Sequence, residues 1–309
     1  MKAAEAVTSP AVNEEAARLT YVLITPARNE EAHIERTIKS VVDQTIRPVR
    51  WLIVSDGSTD QTDEIVKRYA AALDWIELLR MPQRSGRDFA GKVHAFNAGL
   101  ARVRHLSYDF IGNLDADVAF EPDYVEYLLG KFARYPRLGV AGTNQCEESW
   151  QARPRYDYRF TSVEEVPGPL QLFRRGCFES FGGYKPSRHG GVDLLANLSA
   201  RMHGWQTRVY TGRLLIHQRQ QGTAKAHPFL VEFYNGRKDY MFGGHPLWEV
   251  FRAAYNLTKK PYLLGGCLMF VGFFSALLAR TEKVFPSDVI RFRRREQMSR
   301  LRSFLLRTR

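Results

Sequence analysis

Two carboxylates one residue apart, in Asp115-Ala116-Asp117, close the apolar run Phe110-Ile111-Gly112-Asn113-Leu114. That run reads as a short buried strand, and Glu121-Pro122-Asp123 beyond it as a turn opening a helix. In an extended chain, residues two apart point to the same side. Like charges that close cost free energy unless a cation or a cluster of donors lies between them. Hard oxygen ligands of this kind suit Mg²⁺ or Mn²⁺ carried by a phosphate substrate. Alone, the triplet reads as an ordinary solvated turn, where Asp-x-Asp is common. Three further polar clusters follow apolar runs or precede helices: Pro26-Ala27-Arg28-Asn29-Glu30, Val54-Ser55-Asp56-Gly57-Ser58-Thr59-Asp60 and Gly191-Val192-Asp193. Singly, Asn29 and Asp193 read as helix caps and Asp56 as a turn former. Their joint placement is harder to explain as separate caps.

The elements that must position these residues alternate through the first half of the chain. Strands are expected at 21–24, 51–54, 75–79 and 110–114. Helices are expected at 30–45, after the capping-box spacing of Ser58-Thr59-Asp60-Gln61, and at 91–103. Such alternation implies an α/β fold: a mostly parallel sheet with helices on both faces, whose ligands bind at the carboxyl ends of the strands. Residues 150–169, with Arg, Tyr and three Pro, suit a long functional loop. A helix is expected at 193–203 and short strands at 208–210 and 214–216.

The chain resembles the family 2 glycosyltransferases of the GT-A fold from about Tyr21 to Gly222. The motifs that carry the resemblance are LITPARNE at 23–30, VSDGSTD at 54–60, GKVHAFNAG at 91–99, LDAD at 114–117, GCFESFGGY at 176–184 and GVDLLANLSARMHGW at 191–205. Each is weak alone; six in order make a strong match. The resemblance implies a nucleotide pocket lined by Pro26, Arg28, Asn29 and Glu30, with Asp56 accepting from a base N–H and Lys92 facing the nucleotide or diphosphate. It implies Asp115 on the ribose or metal, Asp117 as metal ligand, and Gly182-Gly183 as a backbone turn under the donor sugar. Asp193 is implied as catalytic base. His217 is a further metal ligand by the same resemblance, or a structural histidine; Arg219 is a phosphate binder or a surface charge. The implied activity is inverting transfer of a single sugar from a nucleotide-diphosphate donor, expected to be a UDP-sugar, with Mn²⁺ or Mg²⁺ as cofactor. Two positions depart from the family pattern: Ser55 replaces an acid before Asp56, and Val192 replaces the Glu before Asp193. Gln218-Arg219-Gln220 lacks the Gln-x-x-Arg-Trp of processive members, which favours a single transfer.

Charge and hydropathy point to a surface partner. The 309 residues carry a net charge of +12, of which residues 291–309, with eight Arg and one Glu, supply +7. A basic tail of this kind suits an anionic surface better than a nucleic-acid groove. Residues 261–279 contain no charge and would be about 28 Å long as a helix at ~1.5 Å per residue. The expectation is a C-terminal membrane-associated helical segment, either spanning or lying in the membrane as a hairpin bent near Gly265-Gly266 or Gly272. In the in-plane form, residues 287–309 form a basic amphipathic helix with Met298, Leu301 and Leu305 toward lipid. The expected organisation is a flexible lead-in over 1–19, a glycosyltransferase domain over 20–222, connecting helices over 223–258 and the membrane-associated segment over 259–309. The expected partners are a nucleotide-sugar donor, a glycan or lipid-linked acceptor of envelope or exopolysaccharide assembly, and membrane lipids through 261–309, with no nucleic acid. The expected location is the cytoplasmic face of the cell membrane. Cys146, Cys177 and Cys267 show no disulfide or zinc spacing, and the N-terminus lacks the apolar core of a secretory signal. A nicotinamide-binding Rossmann enzyme is disfavoured, because no Gly-x-Gly-x-x-Gly follows the first strand. A nucleotidyltransferase would want a Gly-rich basic loop there. A non-catalytic module that keeps the fold is the alternative, with room at Ser55 and Val192.

Overall fold

The computed structural model describes residues 14, 16–83, 89–147, 163–219, 230–259 and 262–307. The chain divides into two compact units, Met1–Gln220 and Gln221–Arg309. The loop expected over 150–169 lies outside the described residues up to position 162.

The first unit is an α/β layer structure. Its elements are β1 (Tyr21–Ala27), α1 (Ile34–Val42), β2 (Arg50–Asp56), α2 (Thr62–Ala72), β3 (Ile76–Met81), α3 (Phe89–Val103), β4 (Phe110–Leu114), β5 (Val118–Phe120), α4 (Tyr124–Arg134), β6 (Leu138–Glu147), β7 (Leu170–Arg174), α5 (Arg175–Ser180), α6 (Val192–Met202) and β8 (Gln206–His217). The eight strands form one sheet in the order β3-β2-β1-β4-β7-β6-β8-β5. Strands β1 to β4 are parallel, as their alternation with helices requires. Beyond β4 the sheet is mixed rather than mostly parallel. β7 runs antiparallel to both β4 and β6, β8 parallel to β6, and β5 antiparallel to β8. The periodicity that reveals a strand says nothing of its distant partner, so this half was not deducible from spacing.

Apolar side chains of α1, α2 and α4, such as Ile38, Val66 and Phe132, pack on one face of the sheet. Those of α3, α5 and α6, such as Phe96, Phe178 and Ala200, pack on the other. Burying both faces makes β1, β2 and β4 nearly continuous apolar runs. The two short strands expected at 208–210 and 214–216 are one strand, β8, whose pairing with β6 slips between Thr143 and Asn144. The irregularity at Thr211-Gly212-Arg213 is what broke the pattern.

The second unit contains α7 (Val231–Met241), α8 (Pro246–Asn256), α9 (Leu264–Leu278) and α10 (Ser287–Arg307). α9 is one unbroken helix. The expected bend near Gly265-Gly266 or Gly272 does not occur, because the glycines serve packing instead. A Cβ on Gly272 would collide with the Phe233 carbonyl, and one on Gly236 with the Met269 carbonyl, so α7 and α9 meet backbone to backbone. No described helix is long and apolar enough to cross a membrane. α10 also departs from expectation. Its inward stripe is Val289, Arg293 and Gln297, a mixed one; Met298 and Leu301 are half-buried, and Leu305 is exposed.

Arg293 turns inward because Asp239 is there. Its Nη2 donates to Asp239 Oδ1 at 2.6 Å, and Arg252 Nη1 lies 3.0 Å from the same oxygen and 3.1 Å from Glu249 Oε2. Asp239 Oδ2 and Glu249 Oε1 are buried without a donor among the described residues. One proton shared between the two carboxyls satisfies both atoms. Burial raises Glu249 to about 8 against the pull of Arg252, while Arg293 and Arg252 outweigh burial at Asp239 and hold it low.

The folded chain therefore keeps a proton on Glu249 that the unfolded chain releases above about pH 4.5. This contribution is complete below that pH and drains away as pH climbs to about 8. Glu249→Gln removes the dependence. Its melting temperature relative to wild type should rise across this window; a difference that stays constant with pH contradicts the shared proton.

Candidate active site

The loops after β1, β2 and β4 and the end of β8 meet at one edge of the sheet. The first two loops are stitched by reciprocal hydrogen bonds. The Asn29 amide donates to Ser58 Oγ at 3.2 Å, and Asn29 Oδ1 accepts from the Thr59 amide at 2.9 Å. The Glu30 amide donates to Thr62 Oγ1 at 2.7 Å, and Glu31 Oε2 accepts from the Gln61 amide at 2.9 Å. Asn29 has φ 54°, the left-handed region that asparagine tolerates better than most residues. It neither caps α1 nor reaches into space; it holds the loop pair. The start of α2 likewise differs from the expected capping box. Asp60 Oδ1 takes the Thr62 amide and hydroxyl at 3.0 and 2.6 Å.

Around this scaffold sit the acids. Asp56 ends β2, is buried, and has Arg28 Nη1 3.9 Å from its carboxylate. Pro26 lies within β1 and pairs with Val54. Ser55 faces the opposite way from Asp56 and is fully buried, with no partner for its hydroxyl among the described residues. Glu30 is buried, and its Oε1 accepts from Arg219 Nη2 at 2.6 Å. Arg219 Nε donates to Asp117 Oδ2, also at 2.6 Å. One guanidinium thus joins the β1 loop, the β4 loop and the end of β8. Lys92 from α3 contacts Asp115 Oδ1.

The Asp115-Ala116-Asp117 backbone is held from behind. The Thr37 hydroxyl of α1 lies 2.9 Å from the Ala116 carbonyl and 2.7 Å from that of Val118, and accepts the Val118 amide at 3.2 Å. Gln218 donates its main-chain amide to the Asp117 carbonyl at 3.0 Å and its side-chain amide to the Val118 carbonyl at 3.2 Å. The two carboxylates then behave differently. Burial and the nearby Asp117 charge raise Asp115, despite the opposing Lys92. Burial works the same way on Asp117, but His217 and Arg219 outweigh it and hold that carboxyl well below the usual range.

His217 Nδ1 is 3.9 Å from Asp117 Oδ1, and its Nε2 donates to Gln145 Oε1 at 3.1 Å. With Nε2 held against that acceptor, Nδ1 is the ring nitrogen that faces Asp117. Asp117 and His217 therefore suit a divalent cation in chemistry and direction. The three-ligand set expected from Asp115, Asp117 and His217 is not drawn together, however. Among the described residues no group of three His, Cys, Asp or Glu is close enough to hold a metal ion. The reason is visible: Lys92 and Arg219 already neutralise the two carboxylates. A metal would have to replace those contacts.

Asp193 stands in the first turn of α6 and is half-buried. It is not a plain cap: Gly191, at φ 75°, occupies the cap position and no side chain caps the helix. Gly168 abuts the Asp193 carboxylate, and the adjacent Pro169 carbonyl accepts the Asp115 amide at 2.8 Å. The charges of Asp193 and Asp115 both reach the phenol of Tyr184, which is raised well above its ordinary value, chiefly by burial. The two acids thus share one neighbourhood. Tyr184 donates to Gln171 Oε1 at 2.6 Å, and Gln171 Nε2 in turn lies 3.5 Å from the Asp193 carbonyl. Gly182-Gly183 have φ 74° and 70° and take the carbonyls of Glu179 and Phe178, a helix end that needs glycine with or without a sugar above it. Sequence reading missed Thr37, Gln145, Gln171 and Tyr184. None lies in a polar cluster, and only Tyr184 falls in a motif, as an apparent core residue.

The family model described as Glycosyl transferase family 2 matches residues 22–182, more than half of the chain. Among curated relatives, a poly-beta-1,6-N-acetyl-D-glucosamine synthase of Staphylococcus aureus is 29% identical over 136 residues, 44% of this chain and 30% of its own. A 4,4'-diaponeurosporenoate glycosyltransferase of the same species is 33% identical over 122 residues, 39% of this chain and 30% of its own. The aligned part of the chain thus spans about a third of those relatives. A mannosyltransferase from Pyrobaculum calidifontis, solved with GDP-Man and Mn²⁺, superposes with a TM-score of 0.57 at 19% identity, covering 85% of this chain and 76% of that one. TarS of S. aureus, solved with UDP-GlcNAc, superposes with a TM-score of 0.52 at 14% identity, covering 84% and 73%. These two likenesses establish the shared mixed-sheet α/β fold.

Thr37→Val keeps the shape and removes the hydroxyl behind the acidic loop. Leaving its buried partners unsatisfied should cost about 1–3 kcal/mol. The denaturant midpoint of the first unit should fall accordingly; an unchanged midpoint contradicts the clamp.

Proposed function

Because the chain belongs to glycosyl transferase family 2, we propose that it is an inverting, metal-dependent glycosyltransferase. It moves one sugar from a nucleotide-diphosphate donor, a UDP-sugar, to a membrane-proximal acceptor. The observation that carries this reading is the gathering of Asp56, Asp115, Asp117 and Asp193 around one sheet edge, together with the cations Arg28, Lys92 and Arg219. The sugar nucleotides bound by the two solved neighbours support the donor class.

Each residue then has a task. Asp56, at the end of β2, accepts from a base N–H, with Arg28 beside it. Arg219 and Lys92 exchange their carboxylates for the donor's phosphates, a change of anion that costs each cation little. Asp117 and His217, with Asp115, would hold a divalent cation, which when bound neutralises charge on the leaving diphosphate. Gln145 keeps the His217 ring turned for that purpose. Asp193 takes the proton from the attacking hydroxyl as the bond to the anomeric carbon forms. Attack from the face opposite the diphosphate inverts that carbon.

The acceptor is a lipid-linked glycan of envelope or exopolysaccharide assembly, met at the cytoplasmic face of the cell membrane. Two features of the second unit support this. α9 carries no charge, and its outward residues Leu264, Phe270 and Val271 are 43%, 42% and 52% exposed. α10 supplies the arginines.

Asp193→Asn tests the assignment of the base. Release of UDP from UDP-sugars, assayed with membrane lipids as acceptor, should fall by roughly 10²–10⁴-fold. Calorimetric binding of the donor should stay as in wild type. Unchanged turnover sinks Asp193 as base.

A further inference from the structure

The second unit holds an open hollow of about 450 Å³ lined by His245, Arg294, Arg295, Met298, Ser299 and Arg302. Residues 294, 295, 298, 299 and 302 are one and two turns apart and so share one face of α10. The arginines of this helix divide by partner. Arg293 points inward to Asp239, and Arg300 pairs with Glu296 at 3.9 Å. Arg294, Arg295 and Arg302 have no carboxylate partner among the described residues. Arg294 donates only to the Gly243 carbonyl, at 3.1 Å.

Three guanidinium groups around one concavity repel one another unless an anion arrives. His245 senses that field. Burial, and then the charge of Arg294, hold its imidazole below its ordinary value. Its orientation is fixed, since Nδ1 accepts the Leu247 amide at 3.2 Å and its own amide donates to Gln297 Oε1 at 2.8 Å. The planar fork of arginine matches the paired oxygens of a phosphate. A serine hydroxyl and the positive end of α8, which starts at Pro246, add to the same preference.

The residues that follow the lining residues His245 and Arg302 in the chain say where that phosphate comes from. Leu247 and Val250 of α8 are 57% and 43% exposed, and one turn past Arg302 Leu305 and Leu306 are 57% and 73% exposed. A free phosphate needs no apolar rim; a phosphate carrying hydrocarbon does.

We propose that this hollow is a lipid-headgroup site, in which Arg294, Arg295 and Arg302 grip the phosphate of an anionic membrane lipid while the flanking leucines enter the acyl boundary. This rests on the membrane-proximal reading above and names the surface that makes the contact. It is independent of the sugar-transfer chemistry, because none of these residues belongs to the acidic edge.

Flotation of the full chain with lipid vesicles tests it. Vesicles containing phosphatidylglycerol should carry the wild-type chain about tenfold better than vesicles of phosphatidylcholine alone. Arg295→Gln/Arg302→Gln should lose that preference while keeping the wild-type melting temperature and UDP binding. Arg295→Lys/Arg302→Lys, which keeps charge but not the fork, should fall between. Equal flotation of the glutamine variant and wild type overturns the pocket but leaves membrane contact through the apolar faces intact. Full recovery by lysine overturns the headgroup site in favour of a diffuse basic patch. Stabilisation of the wild type by inorganic phosphate without vesicle binding overturns the lipid source. Vesicle binding by wild type alongside absent UDP binding counts against sugar transfer and leaves this site standing.

Discussion

Negative charge at the end of a parallel sheet is the constraint on which the first unit is built. Glu30, Asp56, Asp115 and Asp117 gather at one sheet edge because β1, β2 and β4 are neighbours whose loops emerge on the same side. The chain meets the cost with its own cations: Arg28 on Asp56, Lys92 on Asp115, and Arg219 shared between Glu30 and Asp117. That balance also suits a donor. Each carboxylate released by a cation can take a metal or a base N–H, and each cation released by a carboxylate can take a phosphate. Thr37 and Gln218 fix the loop backbone so that only side chains need move.

Much of this was legible in the sequence. β4 coincides with the run Phe110–Leu114, and the parallel half of the sheet follows from helices and strands in alternation. The four acidic clusters stood out by their joint placement, since each alone reads as a turn or a helix cap. What stayed hidden depends on contacts distant in sequence. The antiparallel insertion of β7 between β4 and β6 is one case. The Gln145 contact that orients His217, 72 residues away, is another. The cap reading of Asn29 fails for a related reason: its side chain serves a loop 30 residues on.

The second unit shows the same chemistry used differently. Its glycines mark helix contact and not a bend, because Gly236 and Gly272 let α7 and α9 touch along their backbones. Its arginines are sorted by the acids they find. Arg293 and Arg252 are absorbed by Asp239 and Glu249 in the interior. Three of those left without acids, Arg294, Arg295 and Arg302, line the hollow on α10. Counting charge along the chain reveals the excess of arginine; only the fold separates the structural ones from those facing outward.

The account stands or falls on whether the acidic edge binds a sugar nucleotide with a metal. Isothermal titration of UDP-GlcNAc into the full chain, with Mn²⁺ and again with the metal chelated, measures this directly. The account predicts binding that weakens at least about tenfold, or about 1.4 kcal/mol, on chelation, and an Asp117→Ala variant whose remaining affinity no longer responds to Mn²⁺. Affinity of the wild type that ignores the metal, or an Asp117→Ala variant that responds to it as wild type does, would contradict it.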